Sequence, residues 1–125
     1  MRETPFWTWH LIAGAVVLVF LGLHMLIMHL NGLVGVGNPH GSEATAWQNV
    51  VYRAQFLFFT ATYIVLLGAA LYHGLFGARL LLFELGLRPG AQKLVTICLW
   101  GLGLALFALG ATANIVIHAN RMGVS

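Results

Sequence analysis

Histidine, glycine and arginine stand together in His73-Gly74-Leu75-Phe76-Gly77-Ala78-Arg79, at the end of a long apolar run. A neutral imidazole at His73 can give iron an axial bond, the requirement of a membrane-embedded haem. Gly77, one helical turn on, removes a side chain where a porphyrin must lie against the helix. Arg79 lies near enough the membrane interface to meet an anionic propionate or a quinone oxygen. Short strings of these residue types also occur as plain polar helix ends, so the string alone leaves both readings open.

Composition decides the class. Sixty per cent of the 125 residues are apolar, 7% are charged and mean hydropathy is +0.89. Such values exclude an ordinary soluble domain and predict an integral membrane protein. The one cysteine, Cys98, sits in an apolar stretch, which leaves no disulfide framework and no cysteine metal site; it reads as a small hydrophobe. Six Lys and Arg face three acids, with no basic stripe, so the excess reads as membrane topology and no nucleic-acid partner is expected.

The elements that must position these residues are helices. Phe6 to Leu30 is nearly unbroken apolar sequence, long enough at about 1.5 Å per residue to cross a hydrocarbon core of about 30 Å. Its length, and the position of Ala13-Gly14-Ala15 inside it, oppose a signal peptide. Asn31 to Gly41, rich in glycine with Asn38-Pro39, breaks the helix, and Ser42-Glu43 is a start signal for the next. The membrane part of the second helix is expected from Val50 or Val51 to Tyr72 or Gly74. The helix should continue past Arg79 to Glu84, until Gly86-Leu87-Arg88-Pro89-Gly90 stops it. A third span is expected from Leu94 to Ile117, with Gly101, Gly103 and Gly110 for close helix packing. The fold class is thus all-α with three transmembrane helices in a single membrane domain over 1–125. Arg2, Arg79, Arg88 and Lys93 fall on one side, Arg53 and Arg121 on the other. The positive-inside rule then puts the N-terminus in the cytoplasm and the C-terminus outside a plasma or inner membrane.

Depth sorts the six histidines. His10 and His73 belong to the cytoplasmic half. His24 and His29 lie near the outer end of span one, His40 in the outer loop and His118 at the outer end of span three. His10 and His24 are fourteen residues apart, so they share a helix face about 21 Å apart along the axis, with Gly14 on the same stripe. His29 points elsewhere and reads as interfacial, and His40 and His118 read as exposed. For His24 and His73 a bound cofactor is the better account than a proton relay, because Glu3, Glu43 and Glu84 all fall at span ends and leave no carboxylate at depth. Histidine-only metal binding lacks a His-xxx-His or Glu-xx-His pair. Bis-histidine haem ligation needs only one histidine from each of two facing helices. Arg79 and Glu84, five residues apart, are separated by about 140° around a helix, which argues against a mutual ion pair.

These residues resemble a family, the haem-containing membrane-anchor subunits of succinate dehydrogenases and fumarate reductases. The likeness rests on His10-Leu-Ile-Ala-Gly14 followed by His24 in span one, and on His73-Gly-Leu-Phe-Gly77-Ala-Arg79 with Glu84 in span two. It extends over all three spans. The resemblance implies that His73 ligates a b-type haem near the cytoplasmic side and His24 a second, distal haem. It implies that Arg79 meets a propionate or the quinone, and that Glu84 meets the iron–sulfur subunit or a neighbouring loop. Many members carry arginine directly after the first histidine, where this chain has Leu11; His10 is the remaining polar candidate there for propionate or quinone. One ligand per haem from three spans implies a second membrane-anchor subunit that supplies the others and completes a larger helical bundle. The further partners implied are an iron–sulfur subunit, a flavoprotein subunit that oxidises succinate, membrane lipid, and menaquinone or ubiquinone as substrate. Two rivals stand beside this reading: a haem-free structural anchor of the same complex, and a small transporter or proton-channel subunit.

Overall fold

The computed structural model describes residues 4–29, 38–41 and 43–121. Arg2, Glu3, Leu30, the Gly-rich stretch 31–37 and Ser42 lie outside the described residues. The described residues form four helices and no strand: α1 (Thr4–His29), α2 (Trp47–Ala54), α3 (Leu57–Glu84) and α4 (Pro89–Arg121). Three of these are long and apolar enough to cross a membrane, over Pro5–His29, Leu57–Glu84 and Pro89–Asn120.

The long helices expose apolar side chains around their circumference; Leu18 is 76% and Leu109 70% exposed. Lipid tails solvate such side chains as well as a protein core does, while the helical backbone satisfies its own hydrogen bonds. What holds the helices together is therefore close fit and a few polar contacts. Helix α3 is central. It packs against α1 on one side and α4 on the other, and α1 and α4 do not touch among the described residues. His73 meets His10 and Tyr63 meets His24, so α1 and α3 are antiparallel. Arg79 meets Thr96, and Gly110 faces Leu67, so α3 and α4 are antiparallel too. Thr4 and Arg121 consequently lie at opposite ends of the layer.

The ends of the helices follow local chemistry at one junction and depart from it at another. Between α3 and α4, Gly86 adopts φ +71°, a left-handed turn that side chains resist. Pro89 then opens α4 in the first turn, where its missing N–H costs nothing. Helix α4 is longer than the expected Leu94–Ile117 at both ends. At the other junction the expected continuous helix from Val50 or Val51 is interrupted: α2 ends at Ala54, and Phe56, with extended φ −96° and ψ 121°, begins α3. No glycine or proline stands there. The break leaves the Ala54 carbonyl without its partner in the next helical turn, and the His118 imidazole of α4 lies 2.6 Å from it through Nδ1. A tertiary contact thus takes up the group that the break exposes.

Helix α2 and the segment before it form a polar brace. Asn49 is fully buried. Its Oδ1 accepts from the His40 backbone N–H at 3.0 Å, and its Nδ2 donates to the Gly41 and Glu43 carbonyls at 3.2 and 2.9 Å. Arg53, one turn on, donates to Asn38 Oδ1 and, at 2.8 Å, to the Ala44 carbonyl. The helix expected to open at Ser42-Glu43 begins instead at Trp47, because this segment is occupied in satisfying Asn49 and Arg53.

Candidate functional site

Two sets of histidines sit at the two ends of the α1–α3 contact. At the His73 end the imidazoles of His10 and His73 stack with centroids 4.2 Å apart and planes 1° from parallel. The arrangement is reciprocal. A methyl added at Gly14 would come within 2.9 Å of His73 Cε1, and one added at Gly77 within 3.4 Å of His10 Cε1. Each His-xxx-Gly element therefore places its glycine under the other element's ring. The glycine at i+4 has a purpose in this structure, and the ring it accommodates is an imidazole of the neighbouring helix.

The His73 ring is also held by a hydrogen bond, from Nδ1 to the His10 carbonyl oxygen at 3.1 Å. A carbonyl only accepts, so Nδ1 carries the hydrogen, and in the neutral ring Nε2 keeps the lone pair. This is the arrangement that orients a metal-ligating histidine, in which one ring nitrogen donates to a fixed acceptor and the other is left basic. His10 Nδ1 is buried with no hydrogen-bond partner. Tyr72 fastens the same end, donating its hydroxyl to the Phe6 carbonyl at 3.0 Å.

Arg79 turns to the other side of α3. Its Nε donates to Thr96 Oγ1 at 3.1 Å, and its guanidinium lies 4.5 Å from the centre of the Phe83 ring. It closes one end of an apolar groove of about 200 Å³ between α3 and α4, walled by Tyr72, Phe76, Trp100 and Phe107. Arg79 and His73 therefore belong to one end of the bundle but serve different interfaces. Glu84 is exposed at the end of α3.

At the opposite end His24 faces α3, as the fourteen-residue spacing from His10 requires. Its ring meets Tyr63 edge-on at 5.6 Å. Phe20, Phe59, Thr62 and Tyr63 join it around a cleft of about 130 Å³. His24 Nδ1 and Thr60 Oγ1 are buried without hydrogen-bond partners. His29 is exposed. His40 is exposed as expected, its ring edge against Tyr52. His118 departs from expectation, because it is half-buried and bonded to Ala54.

Among the described residues no three His, Cys, Asp or Glu side chains converge as a metal site. A haem asks less of the chain, since porphyrin supplies four of the bonds to iron and the protein only the axial ones. His73 and His24 are side chains of the type that can give an axial bond: the His73 ring is held by its hydrogen bond and packed on His10, and His24 has an orphaned buried nitrogen beside an aromatic cleft. The chain matches no protein-family model, no curated protein and no solved structure. Function therefore rests on this geometry. Tyr63 and Thr62 are the cleft residues that sequence reasoning passed over; the buried pair Asn49 and Arg53 carried one legible signal, their i, i+4 spacing, which puts both on one face.

Proposed function

We propose that this chain is the small haem-binding membrane-anchor subunit of a succinate:quinone oxidoreductase, placed between an iron–sulfur subunit and membrane quinone. The observation that carries the reading is the His73 Nδ1 bond to the His10 carbonyl, which leaves Nε2 basic at a point where two helices face each other. His73 would hold one b-type haem and His24 a second, each completed by a histidine of a second anchor subunit. A haem held at either place would supply one-electron redox chemistry. The chain's own residues position and tune. The His10 carbonyl fixes the His73 tautomer, Gly14 and Gly77 allow α1 and α3 to approach at the ring level, and the surrounding apolar side chains lower the local dielectric. Arg79, at the end of the α3–α4 groove, offers a donor to a quinone oxygen or a propionate. The flavoprotein that oxidises succinate stands outside this chain, which would lie in a plasma or inner membrane with its N-terminus cytoplasmic.

A haem-free anchor of the same complex is the second reading, favoured by one observation. The His10–His73 stack is a complete helix–helix contact in itself. The optical spectrum of the dithionite-reduced, purified complex separates the two. Sharp b-type bands, quantified as pyridine haemochrome, are the expected result, and their absence from the intact complex would overturn the haem reading.

A further inference from the structure

The groove between α3 and α4 belongs to a different helix contact from the His10–His73 pair. Its lining runs along α3 from Gly68 to Arg79, about 16 Å at about 1.5 Å per residue. One leaflet of a hydrocarbon core of about 30 Å is of the same depth. The walls are apolar and aromatic, and two of them stand open toward lipid, Trp100 at 50% and Leu104 at 64% exposed. The one tyrosine of the lining, Tyr72, gives its hydroxyl to the Phe6 carbonyl. Polarity is therefore confined to one end. Arg79 is the single charged side chain among the lining residues. It is half-buried and held in place, with Nε on Thr96 Oγ1 at 3.1 Å and the guanidinium 4.5 Å from the centre of the Phe83 ring. Arg88, in the turn between α3 and α4, and Lys93, early in α4, are exposed at the same end, where Glu84 is the one acid of these two helices.

We propose that this groove is a binding site for an anionic phospholipid: one acyl chain lies along it and the phosphodiester meets Arg79. An acyl chain asks for an apolar slot about one leaflet deep. A phosphate asks for a fixed cation where hydrocarbon meets water, and a guanidinium presents paired N–H donors of the right geometry. Arg88 and Lys93 beside it attract net negative charge and repel a headgroup that carries its own cation. Phosphatidylglycerol therefore suits this end better than phosphatidylcholine. A quinone oxygen is uncharged and gains nothing from Arg88 and Lys93. The inference needs no haem, and a quinone at Arg79 is its competing outcome.

The test uses the full chain, purified and stripped of lipid, with Trp7, Trp9 and Trp47 replaced by phenylalanine so that Trp100 alone reports. Phosphatidylglycerol or phosphatidylcholine brominated in the acyl chains is titrated into the micelles, and quenching of Trp100 reads the filling of the groove. Phosphatidylglycerol should half-quench at about one-fifth of the amount that phosphatidylcholine needs. Arg79→Gln should abolish this preference, while Arg88→Gln, outside the groove, should reduce it only in part. If Arg79→Gln does not fold, Thr96→Val takes its place: it keeps the charge but removes the anchor of the guanidinium, and should weaken the preference. Equal quenching by the two lipids in the parent protein would overturn the proposal without any variant. So would a preference that survives Arg79→Gln or Thr96→Val unchanged and is lost in Arg88→Gln, which is diffuse attraction to the interface. Displacement of the brominated phosphatidylglycerol by equimolar menaquinone or ubiquinone would give the groove to the quinone and overturn it as well.

Discussion

The reciprocal fit of two histidines on two glycines makes the His73 end sensitive to single atoms. Gly14 is the stricter position, since a methyl there meets a ring tied down by its bond to the His10 carbonyl, while the 3.4 Å approach at Gly77 is an ordinary contact. Gly14→Ala is expected to displace the His73 ring, cost about 1–3 kcal/mol by overpacking, and lower haem occupancy of the purified complex; Gly77→Ala should retain most of both. Equal tolerance at the two glycines would count against an oriented His73. On the ligand assignment, His73→Ala should remove one haem and His24→Ala the other, while His29→Ala, at an exposed position, stays silent in the same pyridine haemochrome assay. Arg79→Leu should slow quinone reduction while the soluble subunits still oxidise succinate with an artificial acceptor; unchanged quinone reductase activity would remove Arg79 from that site. The face shared by His10, Gly14 and His24 was legible from spacing alone, because a helix at 3.6 residues per turn admits one answer. That the ring over each glycine belongs to the other helix was not, since nothing in either motif names its neighbour.

At the scale of elements, the junctions separate local signals from tertiary ones. Gly86 and Pro89 end α3 and open α4 by their own backbone preferences, and both are visible in the sequence. The break at Gln55-Phe56 has no such marker. It coincides with polar groups held elsewhere: Asn49 and Arg53 by the segment 38–44, and the exposed Ala54 carbonyl by His118. Asn49→Ala removes the partners of one backbone N–H and two carbonyls. It should destabilise the segment by about 1–3 kcal/mol, seen as faster limited proteolysis between residues 38 and 46 with the long helices still protected. Protection equal to wild type would mean that the brace holds without Asn49. His118, placed by its position in the chain at an exposed end, proves half-buried for the same reason.

Among the described residues three long helices pack with α3 between α1 and α4, and many of their large apolar side chains are exposed. On the proposed function a second anchor subunit covers part of one face and brings the missing axial histidines. The chain produced alone should then insert in the membrane yet show no bis-histidine b-type spectrum until its partner anchor is present. Orientation has its own test. In a Cys98→Ala background, a membrane-impermeant thiol reagent applied to intact cells should modify a cysteine placed at Ser125 and spare one at Thr4. The reverse pattern would invert the depth assigned to every histidine.

Sequence alone determined the membrane class, the three long helices and the shared face of His10, Gly14 and His24. Each of these depends on composition or on a repeat that a single helix carries within itself. Tertiary structure decided the rest. The helix break before Leu57, the burial of Asn49 and Arg53, the stack of His10 on His73 and the turn of Arg79 toward Thr96 all depend on which groups are left unsatisfied once helices meet. A buried carbonyl or guanidinium takes whatever partner the fold brings near, and that partner lies far away along the chain: sixty-four residues from Ala54 to His118 and sixty-three from His10 to His73.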